Sequence, residues 1–93
     1  PEPIRFEWDK GNIDKNFKKH KVTNREAEEV FNNEKKLIIE DERHSLAEKR
    51  YMIWGGTTYN RKLVVFFTIR KDKIRIISVR DMDKKERREY EKI

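Results

Sequence analysis

Lys62-Leu-Val-Val-Phe-Phe-Thr-Ile-Arg70-Lys71-Asp72-Lys73-Ile-Arg-Ile-Ile-Ser-Val-Arg80 decides the fold. Lys62 to Arg70 is apolar at successive positions, so both faces of an extended segment would be covered; this is the pattern of a central strand. Lys71-Asp72 leaves room only for a tight turn, and Lys73 to Arg80 returns as the next strand. A loop that short demands an antiparallel hairpin, because a parallel crossover needs a dozen or more residues.

Upstream of this hairpin, Arg50-Tyr51-Met52-Ile53-Trp54 reads as a strand ending at a Gly55-Gly56 turn. Leu37-Ile38-Ile39 is a brief β-branched run that stops at the charged Glu40 to His44 segment. Together these predict a four-stranded meander. Earlier still, Thr23-Asn24-Arg25-Glu26 has capping-box form and opens a helix with Ala27, Val30 and Phe31 on one face, ended by Asn32-Asn33. A preceding helix, capped by Asp9 and running to about His20, would bury Ile13 and Phe17. Phe6 and Trp8 alternate with Arg5, Glu7 and Asp9 as a short extended segment. Asp83 caps a last, nearly all-charged helix, Lys84 to about Lys92, anchored only by Met82, Tyr90 and Ile93 and so expected to be loosely held or completed by a partner. The expected fold class is α+β: two N-terminal helices packed on a mainly antiparallel sheet, with a charged C-terminal helix, forming one domain over residues 1–93.

Composition narrows the function. Charged residues make up 45% of the chain and hydrophobic ones 34%, but ten aromatics and the patterned apolar runs argue for a folded domain rather than disorder. There is no cysteine, which excludes a disulfide framework, a thiolate metal site and a cysteine nucleophile. The longest apolar stretch, Leu63 to Ile69, is far short of a membrane span, and the N-terminus has no signal-peptide pattern, so a cytoplasmic location is expected. The net charge of +6 is unevenly placed: residues 1–60 balance to zero, and residues 61–93 carry all of it. Such an excess suits a polyanion, although a solvated basic face needs no ligand.

The motifs, taken in order, resemble the BrnT family of toxin–antitoxin ribonucleases. The matching pieces are Phe6-Glu7-Trp8-Asp9, Lys19-His20-x-Val22, Glu26-Ala27-x-x-Val30-Phe31 and Asp41-x-x-His44-x-x-x-Glu48-x-Arg50. They continue with Leu63-Val64-Val65 before Thr68-x-Arg70, then Arg75-Ile76-Ile77-Ser78-x-Arg80, and Glu86-Arg87-x-x-Tyr90. Two departures stand out. Lys21 occupies the place of a glycine, so the first helix is expected to end without a left-handed cap, and Val79 replaces a smaller residue. The resemblance implies a RelE-like fold and RNA cleavage without metal or other cofactor. It also implies neutralisation by a cognate ribbon–helix–helix antitoxin, with operator DNA bound only through that antitoxin and no membrane partner.

Cleavage of that kind uses the 2′-hydroxyl as nucleophile. The site must take its proton, stabilise the phosphorane and protonate the leaving 5′-oxygen. Arg75 and Arg80 are candidates for a phosphate clamp, since a guanidinium donates two parallel hydrogen bonds and stays charged. Alternatively they are edge-strand charges that discourage aggregation. His44 and Glu48 are the candidate acid/base pair. The same segment, Glu40, Asp41, Glu42 and His44, can also be read as a divalent-cation site or as a solvated loop with Glu48 paired to Arg50. Lys19, Arg70, Arg87 and a base-stacking Tyr59 are candidates for nucleic-acid contact, while His20 suits a helix C-terminal cap and Tyr90 is either a core anchor for the last helix or a catalytic proton donor. Competing readings remain a non-catalytic nucleic-acid-binding module and a domain that docks an acidic partner.

Overall fold

The computed structural model describes residues 3–93. The elements are α1 (Lys15–His20), α2 (Asn24–Asn32), β1 (Lys36–Glu40), β2 (Tyr51–Gly56), β3 (Lys62–Arg70), β4 (Lys73–Asp81) and α3 (Lys84–Glu91), with a single 3₁₀ turn at Glu42–His44. The strands form one antiparallel meander in the order β1-β2-β3-β4. The fold is thus α+β, as the sequence predicts.

Strand alternation sorts the side chains into two layers. Leu63, Val65 and Phe67 of β3 join Ile53, Ile76 and Val79 beneath Ala27, Val30 and Phe31 of α2. Val64 and Phe66 point to the opposite face, where Met82 and Tyr90 pack with Met52 and Trp54. This explains why β3 is apolar at nearly every position. Phe31 meets both Phe6 and Phe67 edge-to-face, with ring centroids 5.4 and 5.0 Å apart.

The β3–β4 turn is made by Lys71 and Asp72, both with positive φ (48° and 67°), the conformation that a two-residue hairpin needs to match strand twist. Phe66 pairs with Ser78 and Phe67 with Ile76, which leaves Ile77 as an extra residue in β4. That bulge reverses the alternation. Arg75, opposite Thr68, and Arg80, opposite Val64, therefore share the α3 side of the sheet despite their odd and even numbers.

Four local expectations are corrected, the first being that α1 would end without a left-handed cap: Lys21 itself adopts φ 58° and ψ 34°, where its N–H reaches the Asn16 and Phe17 carbonyls. Asp9 does not cap a helix reaching His20: residues 10–14 form turns, Asp14 adopts a left-handed conformation (φ 57°), and only Lys15–His20 is helical. The buried residues there are Asn12 and Asn16, whereas Ile13 and Phe17 are exposed. The reason lies in the sheet edge. Asn12 donates to the Ile76 carbonyl at 3.0 Å and Asn16 accepts from the Val79 N–H at 3.0 Å, satisfying backbone groups that β4 turns away from β3.

Gly55-Gly56 is not the turn but the end of β2; the turn follows at Thr57–Asn60, closed by Thr57 N–H on the Arg61 carbonyl. A Cβ on Gly55 would lie 2.9 Å from Val30 Cγ1, so the glycine lets α2 approach the sheet. Finally, α3 is not loose. Tyr90 is 2% exposed, and its hydroxyl donates to the Lys35 carbonyl at 2.5 Å.

Candidate functional site

On the α3 side of the sheet, beyond the area that α3 covers, charged residues from four segments meet. Arg75 of β4 donates to Glu7 at 2.9 Å and to both carboxylate oxygens of Asp9 at 2.8 and 2.9 Å. Glu7 is brought there by the N-terminal segment, whose Phe6 forms a parallel bridge with Ile74. The bridge is held by Glu7 N–H on the Ile74 carbonyl and Ile74 N–H on the Arg5 carbonyl. Arg70, at the end of β3, lies 3.9 Å from Glu7 and grips Glu48 with two hydrogen bonds of 3.1 and 2.7 Å. The result is a continuous ionic chain: Asp9, Arg75, Glu7, Arg70, Glu48.

The electrostatics follow from these contacts. The Arg75 guanidinium, with the Gly11 N–H, holds the Asp9 carboxyl below the usual carboxylate range. Arg70 does the same to Glu48. Both guanidiniums are held charged by their carboxylate partners, through the hydrogen bonds of Asp9 to Arg75 and of Glu48 to Arg70. Two guanidiniums thus alternate with three carboxylates, and the Arg75 side chain is largely enclosed. Such an array can exchange a carboxylate for a phosphate without moving a strand, and an anionic carboxylate can accept a proton.

The other sequence-derived candidates are dispersed. Arg80 sits four ladder positions from Arg75, roughly 13 Å along the strand at 3.3 Å per residue. It pairs with Glu86 through bonds of 2.7 and 2.9 Å and lies over the Phe66 ring at 5.8 Å. Arg75 and Arg80 share a face but do not form one clamp. His44 is exposed in the 3₁₀ turn, its Nδ1 3.0 Å from Asp41 Oδ2. Glu48 is taken up by Arg70, not by His44 or Arg50, so the structure does not bring His44 and Glu48 together. Among the described residues, Glu40, Asp41, Glu42 and His44 do not converge as a group able to hold a metal ion.

Tyr59 is 93% exposed at the tip of the β2–β3 turn, and Lys19 and Arg87 are exposed on α1 and α3. No helix among the described residues is long and apolar enough to cross a membrane.

Two features escaped the sequence reading. Glu7 and Asp9 read as alternation and a helix cap, yet they are the partners of Arg75, separated from it by 68 and 66 positions. Arg61 was not singled out. It bonds Asp81 at 2.8 and 3.0 Å, Glu26 at 3.4 Å, and the His20 and Lys21 carbonyls at 3.1 and 2.8 Å, tying the end of α1 to the sheet. The turn glycine Gly11 was the one available hint for the ionic chain: a Cβ there would meet Arg75 Nη2 at 2.8 Å.

No curated protein matches the chain as a relative. Residues 8–86 match the family described as the ribonuclease toxin, BrnT, of type II toxin-antitoxin systems. That span takes in Asp9, Glu48, Arg70, Arg75 and Arg80, and it covers most of the sequence; the chain belongs to the BrnT family of ribonuclease toxins.

Proposed function

We propose that this chain cleaves RNA without a metal ion at the Asp9–Arg75–Glu7–Arg70–Glu48 chain. The observation that supports this reading is the alternation of guanidiniums and carboxylates within ion-pair distance, 3.9 Å at most, on the part of the sheet face that α3 leaves uncovered. Arg70 and Arg75 bind the scissile phosphate, each trading one carboxylate for a phosphate oxygen. The displaced Glu48 or Glu7 carboxylate takes the 2′-hydroxyl proton. The 2′-oxygen attacks the adjacent phosphorus and the 5′-oxygen leaves, protonated from solvent, with a 2′,3′-cyclic phosphate as product.

Arg80, Arg87 and Lys19 extend the positive surface that holds flanking phosphates, and Tyr59 offers a ring for a base. Loss of cellular RNA then stops translation and growth. A cognate antitoxin of ribbon–helix–helix type, which also carries the operator contact, blocks the cytoplasmic toxin by covering this surface.

The test is incubation of the purified chain with labelled RNA in EDTA, beside an Arg70→Ala/Arg75→Ala variant. Cleavage by the native chain alone, leaving cyclic phosphate ends, is the expected result. Absence of cleavage while RNA binding stays intact and steeply salt-dependent would replace this reading with a non-catalytic binding module.

A further inference from the structure

The two edges of the sheet are treated differently. At the β4 edge every outward backbone group described above has a partner: Ile74 pairs with the N-terminal segment, the Ile76 carbonyl with Asn12, and the Val79 N–H with Asn16. The β1 edge has no such cover. The phase of the β1–β2 ladder follows from Asp41 N–H on the Arg50 carbonyl at 2.7 Å. In an antiparallel ladder the hydrogen-bonded pairs alternate, so Leu37 and Ile39 face β2 while Lys36, Ile38 and Glu40 turn their N–H and C=O groups outward. Among the described residues nothing pairs with that outward row. Ile38 is 53% exposed and Ile39 37% exposed. An open edge with apolar side chains on both faces is a template for another strand.

The sequence of this edge says which strand fits. Residues 35–41 read Lys-Lys-Leu-Ile-Ile-Glu-Asp, and their charges are antisymmetric about Ile38. Two copies laid antiparallel with Ile38 opposite Ile38 bring Lys36 against Glu40 and Lys35 against Asp41, twice each. This register also matches the hydrogen bonding, because the pairs 36–40, 38–38 and 40–36 are the ones whose backbone groups point outward. A shift of two residues either way keeps the bonding phase but sets Lys36 or Glu40 against an isoleucine.

We propose that the chain forms a twofold dimer by pairing β1 with β1 of a second copy, making one eight-stranded sheet. The contact is isologous, with each Ile38 touching its symmetry mate on the face that carries α2. It joins two apolar grooves of about 340 Å³ that Ile38 lines together with Ile4, Phe31, Tyr51, Phe67 and Ile69. Asp9, Glu7 and Arg75 of the ionic chain lie at the β4 edge, at the other side of the sheet from the β1–β1 seam.

Sedimentation velocity of the purified chain from low micromolar to submillimolar concentration tests this, with circular dichroism as a folding control. The native chain is expected to shift from monomer to dimer, doubling its mass. Ile38→Pro removes an outward N–H, which an edge strand tolerates, together with the isoleucine contact at the seam, and should stay monomeric at every concentration. Lys36→Glu sets like charges opposite each other and should also be monomeric, whereas the charge-swapped Lys36→Glu/Glu40→Lys chain should dimerise again. A native chain that stays monomeric throughout, a dimer that survives Ile38→Pro, or a charge swap that fails to restore association in a folded protein would overturn the proposal.

Discussion

Arg80 and Glu86 form a two-bond ion pair, and Glu86 is also the residue that closes the capping box of α3. One of its oxygens accepts from the Asp83 N–H at 2.9 Å while Arg80 holds both. The end of β4 and the start of α3 are thereby locked together, and this gives Arg80 an anchoring role distinct from that of Arg75. Arg80→Ala is expected to lower stability by about 1 kcal/mol, as befits a partly exposed pair, and to leave the circular-dichroism spectrum folded. RNA cleavage should fall less than in Arg75→Ala, measured side by side on the same substrate.

Gly11 packs against the guanidinium of Arg75, and the new methyl in Gly11→Ala would lie 2.8 Å from Nη2. The neighbour is the far end of a flexible side chain, so the fold should change in stability by no more than about 0.5 kcal/mol. Arg75, however, must swing away from Asp9. RNA cleavage and salt-dependent RNA binding are expected to drop while the melting temperature holds; an unchanged cleavage rate would separate Arg75 from the reaction.

Lys21 itself forms a left-handed cap, against the expectation that α1, lacking a glycine there, would end without one. It ends α1 at φ 58° and ψ 34°, with its N–H on the Phe17 carbonyl at 3.0 Å. A side chain in that conformation costs roughly 1 kcal/mol relative to glycine. Lys21→Gly should therefore raise stability by about 0.5–1 kcal/mol, less what is lost with the Lys21 ammonium 5.4 Å from the Phe17 ring centroid. Thermal and denaturant unfolding both report it.

Acid should weaken the fold through Glu86 and Asp81. Arg80 holds the Glu86 carboxyl below the ordinary glutamate range, and Arg61 holds Asp81 below that of aspartate. Their folded values lie under the unfolded ones, so below the ordinary range the unfolded chain binds more protons. The stabilisation is complete at neutral pH and is lost as pH falls through the folded values. Each carboxylate contributes about 0.5 kcal/mol at this exposure. Melting temperature against pH should fall on the acid side, and Glu86→Gln should make that limb shallower.

Much of the architecture was legible because it follows from local chemistry. The apolar run of β3, the two-residue turn after Arg70, and the capping boxes at Thr23 and Asp83 each specify their element with few residues. The charge imbalance and the ordered motifs pointed to an RNA-cutting toxin family, and the family match agrees. Strand parity failed at one place. Ile77 is an extra residue that no period-two count can reveal, and it decides which face Arg75 and Arg80 share.

What the sequence determined by itself was therefore the set of elements, their antiparallel order and the chemical character of the surface. Each of these depends on neighbours a few positions apart. Only the tertiary structure decided that Glu7 and Asp9 reach Arg75, that Glu48 answers Arg70 and not His44, and that Asn12 and Asn16 take the buried places expected for Ile13 and Phe17. In each case the partner lies far along the chain, and the choice is made by backbone groups at a sheet edge or charges on a shared face that must be paired once they leave water.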